Sequence, residues 1–285
     1  MTKSNLTYPS TEIASLDDAL GALPIRMSND YLFRALMQRN TKVLKALICA
    51  LLHLDPSVVT SVTILNPIEL GETIDDKTYI LDIKVELNGH TIINLEMQVI
   101  NENNWPERSL CYLCRAFDNL NHGQGYEEVR PAIQIGLLDF TLFEDTPEFF
   151  ANYYLINVKN YRIYSDKFRL SVLDLTQINL ATEEDRAYQI DRWAALFKAT
   201  TWEELKMLAE TNKAIADAVT TVRQLTQEEK IRQQCEARED YYRRTAGREK
   251  LLQKTTAERD QAIAEKERLL QFLKERGINI TENDV

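Results

Sequence analysis

The chain has 285 residues, 44% of them hydrophobic and 27% charged, with a formal net charge of −10. That length allows one large domain, or a medium domain with an appendage, and the lack of any run of about eighteen apolar residues argues against a membrane-spanning helix. The acidic balance weighs against a broad basic grip on nucleic acid; either a local basic patch meets DNA or the substrate is something else.

Residues 1–25 read as a polar N-terminal arm with a short helix near SLDDALGAL, and they lack the apolar centre of a secretory signal. Four cysteines without framework spacing point to a reduced compartment, so the expected address is the cytoplasm. From Asp30 to Leu54, apolar residues recur at helical spacing with a break near Arg39–Asn40, and Asp55–Pro56 closes the segment. SVVTSVTILNP is rich in β-branched residues and reads as a strand; GETIDDK is a polar loop. TYILDIKVEL and TIINLEMQVI are two strands separated by Asn88-Gly89-His90, a hairpin signal. RSLCYLCRAFDNL follows as an amphipathic helix expected to stop near His122–Gly123. RPAIQIGLLDFTLF, NYYLINVK and FRLSVLDL supply further strands. Strand signals vanish after residue 180. Residues 181–226 keep large apolar residues at helical spacing and are expected to form a helical subdomain, while 227–285 form a charged helical tail suited to oligomerisation or partner contact.

Register carries the chemistry. A strict two-residue turn would mix polar and apolar side chains on both faces of the hairpin. A three-residue loop with Gly89 at positive φ sets Leu87 opposite Thr91, Val85 opposite Ile93, Ile83 opposite Leu95 and Leu81 opposite Met97, making one face apolar. The other face then opposes Asp82 to Glu96, Lys84 to Asn94 and Ile80 to Gln98. Directly opposed Cβ atoms lie roughly 4.5–5.5 Å apart. Two carboxylates at that spacing repel each other unless a cation lies between them. Hard oxygen ligands suit Mg²⁺, with Mn²⁺ or Ca²⁺ as alternatives; the bland alternative is a pair of acids on a solvated strand face.

Other residues divide between function and packing. Arg108 and Tyr112, four apart on the helix after the hairpin, are either a phosphate contact or a surface pair, and Arg115 extends the strip. Cys111 and Cys114 are read as buried helix cysteines, since zinc would need a second ligand pair. Glu72, Asp75 and Asp76 read as a solvated loop, with an outer metal ligand as the alternative. His53, His90 and His122 come with no nucleophile motif. No phosphate-cradling glycine loop is present.

The segment LDIKVELNGHTIINLEMQ resembles the motif region of the PD-(D/E)XK nuclease superfamily. The order SNDYLFRALM, the hairpin, ERSLCYLCRAF, GQGYEEVRPAIQIGLLDFTLF and a Glu/Lys/Arg-rich tail is similar to its recombination-promoting nuclease (Rpn) or putative transposase branch, from about residue 26 onward. The resemblance implies an α/β fold, a restriction-endonuclease-like core of mixed sheet and flanking helices over 26–180 with a helical C-terminal extension. It also implies metal-dependent phosphodiester cleavage in DNA, in recombination, mobile-element movement or defence. Asp82 and Glu96 match the motif acids, and the Met97 backbone carbonyl is the implied extra metal ligand. Asp30 is the matching first-helix acid. Leu81 stands in place of the name-giving Pro. Gln98 replaces the usual Lys and, as a catalytic residue, brings hydrogen bonding without charge. A homo-oligomer, with a dimer favoured, suits cutting both strands. Two rival readings stay open: a catalytically silent binding or assembly module, and a nuclease directed at RNA.

Overall fold

The computed structural model describes residues 16–68, 70 and 82–276. The GETIDDK loop, Ile80, Leu81, Glu72, Asp75 and Asp76 lie outside the described residues, as do most of the N-terminal arm and the final nine residues. Of the helix expected in SLDDALGAL, a single 3-10 turn forms at Leu16–Asp18.

Two asparagines organise the first helices. The Asn29 side chain accepts hydrogen bonds from the N–H groups of Tyr31 and Leu32, both at 3.1 Å, and starts α1 (Asp30–Arg39). Asn40 ends α1 and, accepting from Val43 N–H at 3.3 Å, caps α2 (Thr41–Leu51). The expected break is therefore one residue that serves two helices.

Six strands form one mixed sheet: β1 (Val62–Ile64), β2 (Ile83–Leu87), β3 (Thr91–Gln98), β4 (Ala132–Leu138), β5 (Phe150–Tyr154) and β6 (Phe168–Asp174). Their spatial order is β1-β2-β3-β4-β6-β5. The β3–β4 and β4–β6 pairs are parallel and the rest antiparallel. Hairpin pairing runs Ile83↔Leu95, Lys84↔Asn94, Val85↔Ile93 and Leu87↔Thr91, the register that the three-residue loop requires. Gly89 has φ 66° as expected, and Asn88 joins it in the left-handed region at φ 53°. The Asn88 side chain stabilises that turn by accepting from Thr60 N–H at 2.7 Å.

Alternation along the strands sends each face to a different partner. Ile83, Val85, Ile93, Leu95, Met97, Ile135, Leu137 and Leu173 are buried in the main core with α1 and α2. The helices α5 (Ile190–Lys198), α6 (Trp202–Ala209) and α7 (Lys213–Gln227), which follow the short α4 (Glu183–Ala187), contribute Trp193, Phe197, Leu205 and Val219 to the same core. The opposite face, with Ile92, Asn94, Glu96, Ala132, Gln134 and Gly136, is covered by α3 (Trp105–Phe117), the crossover between the parallel strands β3 and β4. Gly136 is where that helix comes closest: a Cβ there would lie 2.1 Å from Trp105 Cζ2.

Two expectations for α3 need correction. The helix stops at Phe117 rather than near Gly123, because Asp118 leaves the helical region (φ −76°, ψ 72°) and the Asn119 amide donates to the Ala116 and Arg130 carbonyls. Gly123, at φ 90°, serves a later turn. Cys111 and Cys114 are exposed, not buried. The buried stripe is Trp105, Ser109, Leu113 and Ala116, and 111 and 114 fall off it.

The last helix, α8, spans Glu229–Glu275, and the chain divides into two compact units after Glu239. In the first unit, the start of α8 is pinned to α1. Asn29 donates to the Cys235 carbonyl at 3.1 Å, Arg26 pairs with Glu239 at 2.8 Å, and Arg238 pairs with the buried Asp30. The second unit carries surface ion pairs such as Arg259–Asp260 at 2.8 Å and exposes Leu251, Leu252, Ile263 and Phe272. Among the described residues no helix is long and apolar enough to cross a membrane.

Candidate active site

Asp82 immediately precedes β2, and extending the hairpin register by one residue sets it opposite Glu96. Its position is fixed through the main chain. The Asp82 carbonyl accepts a hydrogen bond from Asn66 Nδ2 at 3.0 Å and another from the fully buried Arg34 guanidinium. Arg34 also donates to the Asn66 carbonyl, and Asn66 Oδ1 accepts from Lys84 N–H at 2.8 Å. A helix residue and a loop residue thus clamp the strand end where the carboxylate emerges. The Asp82 carboxyl is held above its ordinary pKa by burial, with Arg34, Asn94 and Arg108 pulling against that rise.

Glu96 sits on β3, 4% exposed, beneath α3. Arg108 Nε and Nη2 both donate to the same oxygen, Glu96 Oε1, at 3.0 and 2.6 Å. Glu96 Oε2 and Asp82 Oδ1 are buried with no hydrogen-bond partner. Burial pushes the Glu96 pKa up to about 7; Arg108 opposes the rise, and repulsion from Asp82 and Asp30 adds to it. Neighbouring Asn94 Nδ2 donates to Gln134 Oε1 at 2.9 Å, a buried polar pair flanking the acids.

The other expected site residues fall at different distances from this centre. Arg108 engages Glu96 directly, and its guanidinium lies 5.5 Å from the Tyr112 ring centroid, with Arg115 at 5.9 Å from the same ring. Gln98 shares the face of Glu96, but its amide donates to the Ile100 carbonyl at 3.1 Å. The Met97 side chain is in the main core. Ile92 N–H and the Gln98 carbonyl bond toward β4, so alternation directs the Met97 carbonyl to the β2 side, the side of Asp82. Asp30 is buried and bound by Arg238 Nε at 2.9 and 3.0 Å, and is close enough to act electrostatically on Glu96. Sequence reading missed Arg34, Asn66 and Arg238. A lone Arg within an apolar helix stripe was the available signal for Arg34; Asn66 and Arg238 gave none, because their partners are brought to them by the fold.

A family model described as PD-(D/E)XK nuclease family transposase matches residues 27–247. The chain belongs to that family. No curated protein and no solved structure matches it. The six-stranded mixed sheet with flanking helices is the restriction-endonuclease-like fold expected of such a nuclease, and membership gives the chain a nuclease- or transposase-like role. Nucleases of this family generally use divalent metals and act on DNA. Among the described residues no group of three or more His, Cys, Asp or Glu is placed to hold a metal. The donor set is instead two carboxylates, each with an unsatisfied buried oxygen, and a main-chain carbonyl directed to their side. Hard oxygen donors left unsatisfied in a buried site fit a divalent cation.

Proposed function

We propose that this nuclease-family chain is a Mg²⁺-dependent DNA endonuclease, with Asp82 and Glu96 as metal ligands assisted by the Met97 carbonyl. The observation that carries the reading is the pair of unpartnered buried oxygens, Glu96 Oε2 on β3 and Asp82 Oδ1 one residue before β2, opposite Glu96 when the hairpin register is extended. A buried carboxylate oxygen without a donor costs on the order of 1–3 kcal/mol or more, so the arrangement is unfavourable as it stands and relieved by a cation. Bound there, Mg²⁺ supplies a Lewis acid for the scissile phosphate and lowers the pKa of an attacking water.

The chain's own groups prepare that site. Arg108 holds Glu96 by one oxygen and leaves the other facing inward; its remaining N–H donors suit a phosphate oxygen. Tyr112, stacked under Arg108, fixes the direction of that guanidinium. Arg34 and Asn66 hold Asp82 without using its carboxylate. Asp30, bound to Arg238, contributes negative potential rather than a free ligand. Dimerisation through the charged tail, a cytoplasmic setting and a role in recombination, transposition or defence belong to the same proposal.

The test is nicking of supercoiled plasmid by wild type, Asp82→Ala and Glu96→Ala, with Mg²⁺ and with EDTA. Metal-dependent nicking lost in both variants is expected, and cutting retained by either one removes the site assignment. One observation favours a second reading, a silent assembly module: Gln98 brings no ammonium and its amide is engaged by Ile100. Absence of both cleavage and Asp82-dependent Mn²⁺ binding decides for that module. Competition between DNA and RNA substrates separates the remaining alternative.

A further inference from the structure

The segment joining β5 to β6 is a projecting hairpin, and its composition departs from the rest of the chain. Between Phe150 and Arg169 the basic residues Lys159, Arg162, Lys167 and Arg169 meet a single acid, Asp166, so the hairpin carries +3, while Glu144, Asp145 and Glu148 precede it beside the cavity. The hairpin is built by main-chain bonds: Asn157 N–H donates to the Arg162 carbonyl at 2.9 Å, Tyr164 N–H to the Leu155 carbonyl at 2.8 Å, and Ile156 bridges Ile163. Its side chains are turned outward. Tyr161 is 77% exposed and Tyr164 83%. Lys167 and Arg169 are occupied by protein acceptors, whereas Lys159 and Arg162 have no side-chain partner among the described residues. At the hairpin's base, Tyr153, Tyr154, Phe143 and Trp105 line an apolar cavity of 260 Å³.

We propose that this hairpin and the cavity at its base are a platform for single-stranded nucleic acid, separate from the acid pair. Exposed aromatic rings alternating with uncommitted cations are what a flexible polyanion of stackable bases needs: rings take the base faces and cations take the phosphates, without reading sequence. The cavity is smaller than those that hold drug-sized ligands and suits one aromatic ring. A second copy of this chain is disfavoured as the occupant, because a two-fold contact puts the same patch on both sides and sets two surfaces carrying Lys159 and Arg162 against each other.

The hairpin lies away from the acid pair, whereas Trp105 in the cavity wall packs on Gly136, level with Glu96. Phe168, where the hairpin rejoins the sheet, is level with Ala132 and Ile92, while Glu96 is level with Gly136 and Val172. Four residues along the strands and two strand spacings across give roughly 16 Å between Phe168 and Glu96. On the nuclease reading, on which its role as a substrate contact rests, the platform holds a displaced or frayed strand flanking the cut.

The experiment is fluorescence anisotropy of a labelled 20-nucleotide oligo(dT) in EDTA, with wild type, Lys159→Glu/Arg162→Glu and Tyr161→Ala/Tyr164→Ala, alongside plasmid nicking. Both double variants are expected to weaken binding at least tenfold with unchanged thermal midpoints. The charge variant should also flatten the salt dependence by about 1.4 in the log–log slope for its two lost phosphate contacts. Unchanged affinity in both double variants overturns the proposal. So does a pattern in which they dissociate an oligomer in sedimentation while oligo(dT) binding persists, which assigns the patch to a second copy. Because no cutting is needed in EDTA, loss of the nuclease reading leaves this result standing, and Asp82→Ala should bind oligo(dT) like wild type.

Discussion

Protonation of Glu96 competes with any metal at this site, and the competition has a definite size. A metal takes the ionised carboxylate, and burial holds the Glu96 pKa up to about 7. The ionised fraction is then about one-eleventh at pH 6 and ten-elevenths at pH 8. Mn²⁺ affinity measured by calorimetry should therefore rise about tenfold from pH 6 to pH 8 and level off above, and Asp82, whose pKa is also raised by burial, steepens the low-pH side. Stability of the metal-free protein should move the other way. Unfolded Glu96 ionises near its ordinary value of 4.5 and folded Glu96 only near 7, so between those pH values the folded state binds more protons and stability falls as pH rises. At 1.36 kcal/mol per pKa unit, the loss is on the order of 3 kcal/mol, fully present as stability below pH 4.5 and gone above 7. Glu96→Gln should remove the Glu96 share of both trends and leave only the part that comes from Asp82. Metal affinity that is flat from pH 6 to 8 in the wild type would refute the argument that burial, unrelieved by Arg108, governs this carboxylate.

Three further outcomes follow from the geometry. Arg34→Met removes the guanidinium from the Asn66 carbonyl and leaves the Asp82 carbonyl held by Asn66 Nδ2 alone, and should lower Mn²⁺ affinity about 10–100-fold by loosening the strand end; unchanged affinity by calorimetry counts against the clamp. Arg238→Ala removes the guanidinium from the buried Asp30 and should cost about 3–5 kcal/mol in urea unfolding, with Asp30→Leu/Arg238→Met recovering most of it; a loss below about 1 kcal/mol would make the pair a surface-like contact. Gly136→Ala drives a methyl into Trp105 and should cost about 1–3 kcal/mol, recovered in Gly136→Ala/Trp105→Leu; a neutral Gly136→Ala melt means α3 shifts freely.

The hairpin register and the opposition of Asp82 to Glu96 were legible because period-two alternation leaves one solution in which Ile83, Val85, Ile93 and Leu95 share a face. The helix break at Asn40 was legible for a similar local reason. Arg34, Asn66 and Arg238 were not, because each acts across a sequence gap that topology alone closes: Arg238 reaches back 208 residues to Asp30. The exposure of Cys111 and Cys114 was misjudged for a subtler reason. The α3 sequence offers two apolar stripes, and only the close approach of Trp105 to Gly136 selects which one faces the sheet.

That long reach from Arg238 to Asp30 has a consequence for the protein during its synthesis. The helix carrying Asp30 also carries Arg34, which holds the strand end at Asp82. Its tie to Arg238 cannot form until 208 further residues have been joined, which takes about 10–40 s at typical elongation rates. Both carboxylates of the acid pair are present once Glu96 is joined, 66 residues after Asp30, and for the following 142 residues the nascent chain lacks the ion pair that fixes their supporting helix. The pairing therefore delays completion of the candidate site until Arg238, near the end of the matched segment, has been joined.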